Sequence, residues 1–310
     1  MNIIKALTIS KEKLIKHLEK TATIHGDDCW LFVPKETTGK VCIVAHIDTV
    51  FDKDRRTPLI IYDKGKGLVS SPDGLGSDDR AGIYAALKLF NSMPEPYTPF
   101  ILLTDFEEIG GYGAQEACDI FKEELKGITM FIELDRKGTD DAVFYNGEPK
   151  NFIDYINSFG FKTASGSFSD ISYLCPGMER CGVNLSIGYY HQHSKHEYLD
   201  INAMESTIDK VKTILVDNYT AKKTWVLEGL KFDWFNGCTE DRDDLEVIEC
   251  PSCKEPLFIE TLEACHGFCP YCYAQIDDNL ILDKLDDLYY GEKASYKTNL
   301  LKEIKNANRL

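Results

Sequence analysis

Three features of this 310-residue chain predict an α/β fold with a mixed, largely parallel sheet flanked by helices. Short Val-, Ile- and Phe-rich runs alternate with helical periodicities through residues 1–220. Several runs are almost continuously apolar, as expected of strands covered on both faces. Acidic or imidazole residues follow directly after several of them.

The elements can be justified in order. Lys11–Lys20 has helical spacing and follows Ser10, a good N-cap residue. Strands are expected at Trp30–Val33, Val41–Ala45, Leu59–Tyr62, Phe100–Leu103, Met130–Leu134, Ala142–Tyr145 and Val183–Ile187. Helices are expected at Ala81–Phe90, Ala114–Leu125, Asn151–Phe159 and Ile201–Val216. The composition changes after Tyr219, which sets residues 221–310 apart as an acidic C-terminal extension. Thr239–Glu249 carries six acidic residues and one basic, the composition of a solvated spacer. A cysteine cluster follows within residues 246–276, and then a polar helical tail from Asp277.

Charge narrows the partners. Asp plus Glu number 51 against 35 Lys plus Arg, a net charge of -16. That surplus argues against a nucleic-acid groove and against an anionic membrane surface. No apolar run approaches the roughly 20 residues of a membrane helix, and Met1–Lys20 is charged and amphipathic rather than signal-like. A cytoplasmic setting is therefore expected. Of 11 cysteines, five fall between Cys250 and Cys272. An odd, clustered set in such a setting favours a metal site plus scattered free thiols over disulfides.

The chemistry-bearing residues sit where the strands end. Val41–Ala45 runs into His46-Ile47-Asp48, and alternate residues of extended chain share a side, so Asp48 can orient the His46 imidazole. The glycine-rich turn Gly74–Gly76 leads into Ser77-Asp78-Asp79-Arg80-Ala81-Gly82 at a helix start. Phe100–Leu103 is followed by Asp105, Glu107 and Glu108, three carboxylates that repel one another unless a cation intervenes. Met130–Leu134 ends in Asp135, and Val183–Ile187 is followed by His191, His193, His196 and Glu197. Open α/β sheets build their sites at such strand ends.

Taken together, His-x-Asp, Asp-Asp-Arg-Ala-Gly, Glu-Glu, Asp and His-Ser-x-x-Glu resemble the co-catalytic zinc exopeptidases. These include zinc aminopeptidases, tripeptidase T and carboxypeptidase G type enzymes, and related amidohydrolases. The resemblance spans His46 to Glu197. It implies that His46, Asp78 and Asp135 bind one zinc and that Glu108 and His193 bind a second, with Asp78 bridging. Asp79 stands as the alternative to Asp78, and His191 or His196 as alternatives to His193. It further implies Asp48 behind His46 and Glu107 as general base, with other divalent metals also compatible. Asp170 is either an acidic group that reads a substrate ammonium or a helix N-cap. Only 31 residues separate His46 from Asp78 and 57 separate Asp135 from His193, leaving no room for an inserted domain. The resemblance is thus to the compact aminopeptidase type.

Near the C-terminus, Cys250-Pro-Ser-Cys253 and Cys269-Pro-Tyr-Cys272 form two knuckles separated by 15 residues, a zinc-ribbon spacing for one structural zinc. Cys265-His266 is an alternate pair. Sparse basic residues favour a structural or contact role over nucleic-acid binding. The expected activity is metal-dependent peptide hydrolysis, most simply an aminopeptidase. A deacylase acting on small N-acyl substrates and a non-catalytic ribbon scaffold are the rivals, and a homo-oligomer remains open.

Overall fold

A computed structural model describes residues 2–51, 57–227, 247–252, 256–258 and 276. The chain divides into two compact units, Met1–Leu230 and Lys231–Leu310. The first unit begins with α1 (Ile3–Thr8), α2 (Lys11–Thr21), β1 (Ile24–His25), β2 (Cys29–Phe32), β3 (Lys40–His46), β4 (Ile61–Asp63) and β5 (Leu68–Ser70). It continues through α3 (Ser77–Ser92), β6 (Phe100–Thr104), α4 (Tyr112–Ile120), β7 (Ile128–Arg136), β8 (Asp141–Val143), α5 (Lys150–Asn157) and β9 (Lys162–Ala164). It closes with α6 (Ile171–Met178), β10 (Gly182–Ser186), β11 (Tyr189–Tyr190), β12 (Tyr198–Asp200) and α7 (Ile201–Ala221).

Eight strands form one sheet in the order β1-β2-β6-β3-β7-β10-β8-β9. The central run β6-β3-β7-β10 is parallel throughout. The pairings β1–β2, β2–β6 and β8–β10 are antiparallel. The sheet is therefore mixed and largely parallel, as its apolar strands predict. Side chains on one strand point alternately to opposite faces. Val41, Ile43 and Ala45 of β3 accordingly join one buried cluster, and Cys42 and Val44 join the other. On β6, Ile101 and Leu103 face the first cluster, and Phe100 and Leu102 the second. The first face is covered by α3 on β3 and β7 and by α7 on β3 and β10. The second is covered by α4 and α6, which pack on each other.

Gly82 shows how tight that cover is. A Cβ there would lie 2.3 Å from the Leu134 carbonyl oxygen, so only glycine lets α3 approach β7 so closely. The packed unit runs on past residue 220. The Trp225 amide donates to the Thr129 carbonyl at 2.8 Å, and the Trp225 ring packs against Phe152 and Tyr155. Cys29, Cys42 and Cys175 are buried free thiols.

The elements that periodicity did not reveal are the short ones. α6 contains Pro176 and Gly177, two helix breakers, and α1 has only six residues. β5, β11 and β12 have two or three residues each and join β4 in a second, four-stranded sheet, order β11-β12-β5-β4. Ser10 occupies the N-cap position of α2, but its side chain makes no capping bond.

Of the second unit, β13 (Val247–Glu249) and β14 (Pro256–Phe258) form an antiparallel hairpin, and Cys250 after β13 is buried. The expected zinc ribbon otherwise falls on Cys253, Cys269 and Cys272, and the helical tail on residues 277–310; both lie outside the described residues. Among the described residues, no helix is long and apolar enough to cross a membrane.

Candidate metal centre

Parallel strands that end side by side deliver their terminal residues to one edge. β3 lies between β6 and β7, so His46, the loop after Thr104, and Asp135 emerge together. The start of α3 brings Asp78 from the adjoining layer, and the β11–β12 turn brings His193.

Two groups of side chains converge there. His46 Nε2 lies 3.1 Å from Asp78 Oδ1 and 3.4 Å from Asp135 Oδ1. His193 Nε2 lies 3.2 Å from Asp78 Oδ2 and 3.2 Å from Glu108 Oε2. Asp78 belongs to both groups, with one carboxylate oxygen turned to each imidazole. In each group the ligand atoms lie within 4.8 Å of one another. Glu107 sits beside them, its Oε2 at 4.0 Å from His46 Nε2.

The surrounding hydrogen bonds fix this geometry. Asp48 lies 3.3 Å from His46 Nδ1, and its two carboxylate oxygens accept the backbone amides of Glu107 and Glu108, each at 3.2 Å. One residue thus orients the imidazole and ties the Glu107–Glu108 turn to it. That turn needs Phe106 at φ 64°, a left-handed conformation that bulky side chains rarely adopt. Asp135 is held by Asn184, which bonds both its backbone N–H and its C=O at 3.0 Å, and by the Tyr189 hydroxyl, which donates to Oδ1 at 3.0 Å. His193 has φ 61° in a turn stapled by Ser194, whose hydroxyl donates to the His191 carbonyl at 2.7 Å.

Several residues took places that local sequence could not assign. Asp79, the alternative to Asp78, belongs to neither group. It accepts the Gly82 amide at 2.9 Å, capping α3, and the His46 amide at 3.2 Å. Asp105 turns out of the site and pairs with Lys11 at 2.6 Å, so the cation it needs is an ammonium. His191 packs near the Tyr198 ring instead. Glu197 is fully buried and accepts from the Gly76 amide at 2.6 Å, the Ser77 hydroxyl at 2.7 Å and the Asp78 amide at 3.0 Å. It locks the turn that presents Asp78, which explains the Glu of His-Ser-x-x-Glu. Glu133, Asn184 and Tyr189 are support residues that no motif pointed to. Glu133 accepts the Ser169 hydroxyl and the Asp170 amide. Asp170 stands at the α6 N-cap position without a side-chain cap bond; the Thr104 hydroxyl donates to it instead. It is fully buried, and its Oδ1 has no hydrogen-bond partner.

Electrostatics follow from the crowding. Burial alone would lower the His46 imidazole, but Asp135, Asp48 and Asp78 outweigh it and hold the group well above its ordinary value. Burial likewise opposes His193, yet Asp78 and Glu108 raise it to about 10. Burial would raise Asp78, and the two imidazoles instead bring it well below the usual carboxylate range. Burial and the Asp78 charge push Asp135 up to about 6. Burial, opposed by His46 and aided by Asp135, holds Glu107 well above its ordinary value. The surrounding carboxylates favour the protonated form of each imidazole, and a divalent cation in that position would satisfy the same charges. Glu108 Oε1 is buried without a hydrogen-bond partner, as a ligand oxygen is before its metal arrives. Nitrogen and carboxylate oxygen donors suit zinc. The residues present fit metal binding at both groups.

No family model and no curated protein matches the sequence. Among solved structures the chain is similar to a tripeptidase from Staphylococcus aureus, at 13% identity and TM-score 0.52, over 70% of this chain and 97% of that one. It is similar to an aminopeptidase from Bacillus cereus at 12% identity and TM-score 0.50, over 70% and 96%. It is also similar to a Pyrococcus horikoshii peptidase that assembles into a tetrahedron or a large octahedral shell, at 13% identity and TM-score 0.50, over 69% and 99%. At these identities the likeness is one of fold: the mixed eight-stranded sheet with its helical layers is the architecture of these peptidases.

Proposed function

We propose that this chain is a metal-dependent peptide hydrolase, an aminopeptidase, with a co-catalytic zinc pair at the strand ends. The observation that carries this reading is the shared Asp78, whose two carboxylate oxygens face two different imidazoles at 3.1 and 3.2 Å. His46, Asp78 and Asp135 would hold one ion, and Asp78, Glu108 and His193 the other. Zinc held there would make a water nucleophilic near neutral pH and polarise the scissile carbonyl. Glu107, 4.0 Å from His46 Nε2 and in neither group, would take the proton from the attacking water and return it to the leaving amine. Burial and the neighbouring carboxylates raise its pKa, the direction that makes its carboxylate a better base. Asp48 keeps His46 in one tautomer and holds Glu107 in register through its backbone.

Within this reading, the catalytic domain expected over residues 1–220 lies in the unit Met1–Leu230, and the remainder of residues 221–310 is an extension. Cys250, Cys253, Cys269 and Cys272 would take one structural zinc; the hairpin flanking the first knuckle supports it. The buried thiols Cys29, Cys42 and Cys175 support a reducing, cytoplasmic setting. The assembly of the Pyrococcus relative supports a homo-oligomer here.

The test is to assay the metal-loaded chain on peptides with free N-termini and on N-acyl amino acids, with Glu107→Gln alongside. Cleavage of free N-terminal peptides is expected. Glu107→Gln should keep its strand-end metal and lose about 10²–10⁴-fold in kcat. Cleavage of the N-acyl series alone would replace the aminopeptidase by a deacylase, and full activity in Glu107→Gln would remove that residue from the mechanism.

A further inference from the structure

Beside the metal centre lies an apolar surface that the hydrolytic machinery does not use. Ile109, Tyr112 and Phe168 are among the exposed large hydrophobic side chains, at 63%, 54% and 37% exposure. Phe106 and Tyr173 are half-buried next to them. Distances group the four aromatic rings, and Ile109 stands three residues before Tyr112 in the chain. The Phe106 and Tyr112 rings meet edge to face with centroids 6.4 Å apart, and the Phe168 and Tyr173 rings do the same at 5.5 Å. Gly111 joins the two pairs: a Cβ on it would lie 3.0 Å from Phe168 Cζ and 3.0 Å from Tyr173 Cε2.

The patch is built by the same segments that build the centre. Phe106 and Ile109 flank Glu107 and Glu108 directly in the chain. Phe168 rides on a loop anchored at both ends to the site. At one end the Ser165 carbonyl accepts from Arg136, the residue after Asp135, at 3.1 Å. At the other, Asp170 accepts from Thr104 at the end of β6. No side chain among the five is charged, in a chain of net charge -16. Large exposed apolar residues grouped in this way mark a binding surface. Continuity with Glu107 and Glu108 points to the substrate as the occupant.

We infer that Phe106, Ile109, Tyr112, Phe168 and Tyr173 form a collar that receives a bulky apolar or aromatic side chain flanking the cleaved bond, making such peptides the preferred substrate class. The inference rests on the hydrolase reading above and adds its specificity.

The experiment measures kcat/KM of the zinc-loaded full chain on Xaa-Gly-Gly and Gly-Xaa-Gly, where Xaa is Gly, Ala, Leu or Phe. Leu and Phe should exceed Gly by roughly tenfold or more in one of the two series, which also tells which side of the bond the collar serves. Phe168→Ala should lower the Phe-to-Gly ratio by roughly tenfold, and Phe168→Leu should restore most of it. Equal rates for all Xaa overturn the collar while leaving the hydrolase intact. An equal loss of all rates in Phe168→Ala, or a changed assembly mass by sedimentation with the ratio unmoved, overturns it in favour of a structural or subunit-contact role. If the wild-type chain cleaves no peptide, the hydrolase reading falls and the collar with it.

Discussion

The two halves of the candidate metal centre are built differently. The inner half, His46, Asp78 and Asp135, has side chains only 1–9% exposed. Its residues stand at the ends of adjacent parallel strands and at a turn locked by Glu197. The outer half shares Asp78 but adds Glu108 at 11% exposure and His193 at 51%. Both outer residues ride on turns with left-handed backbone, at Phe106 and at His193 itself. Rigid strands preorganise a ligand set, whereas turns allow it to adjust and to exchange with solvent. The difference teaches that one centre can combine a fixed anchor with an adjustable partner, and Asp78 is where the two meet.

The largest effect should come from breaking that joint. Asp78→Asn is expected to reduce strand-end metal content at both halves and to lower hydrolysis by roughly 10³-fold or more, the scale of losing a principal transition-state stabiliser. Metal analysis of the purified variant checks it. Loss confined to one half would show that Asp78 does not join them.

Stability should then separate the halves. His46→Ala leaves buried carboxylates without their cation and should cost about 3 kcal/mol or more in the metal-free chain. His193→Ala removes a half-exposed ring from a left-handed backbone position and should cost under about 1 kcal/mol. Denaturant unfolding of both variants decides, and equal costs would remove the distinction between anchor and partner.

The smallest and broadest effect concerns pH. Burial pushes Asp135 up to about 6 and Asp170 up to about 7. The folded metal-free chain therefore binds more protons at these carboxyls than the unfolded chain does. Their contribution to stability is fully present below the unfolded carboxylate value of about 4 and is lost as pH rises through 6 to 7. Raised His46 and His193 act in the same direction at higher pH. Thermal midpoints of the metal-free chain should fall from pH 5 to pH 8, and zinc should flatten that slope. A metal-free midpoint that rises over the range would contradict the crowding.

The ends of the strands were legible because buried parallel strands are apolar throughout, so a polar residue at the end of Val41–Ala45 or Met130–Leu134 stands out. What supports those residues was not. Glu133 sits within a strand, Tyr189 in a two-residue strand, and Asn184 mid-strand, and none forms a local pattern. Asp105 looked equivalent to Glu107 and Glu108 until α2 brought Lys11 beside it. Pro176 and Gly177 obscured the periodicity of α6, and nothing local to Asp170 showed that its carboxylate would accept from the Thr104 hydroxyl rather than cap the helix.

The amino-acid sequence by itself determined the alternation of strands and helices and the chemical types at their ends, because both follow from periodicities a few residues long. Only the tertiary structure decided which carboxylates face a common point. The partners of Asp78 lie 32 and 115 positions away, at His46 and His193. Contacts at such separations depend on strand order and on the side to which each turn throws its side chain, and no local window of sequence contains either.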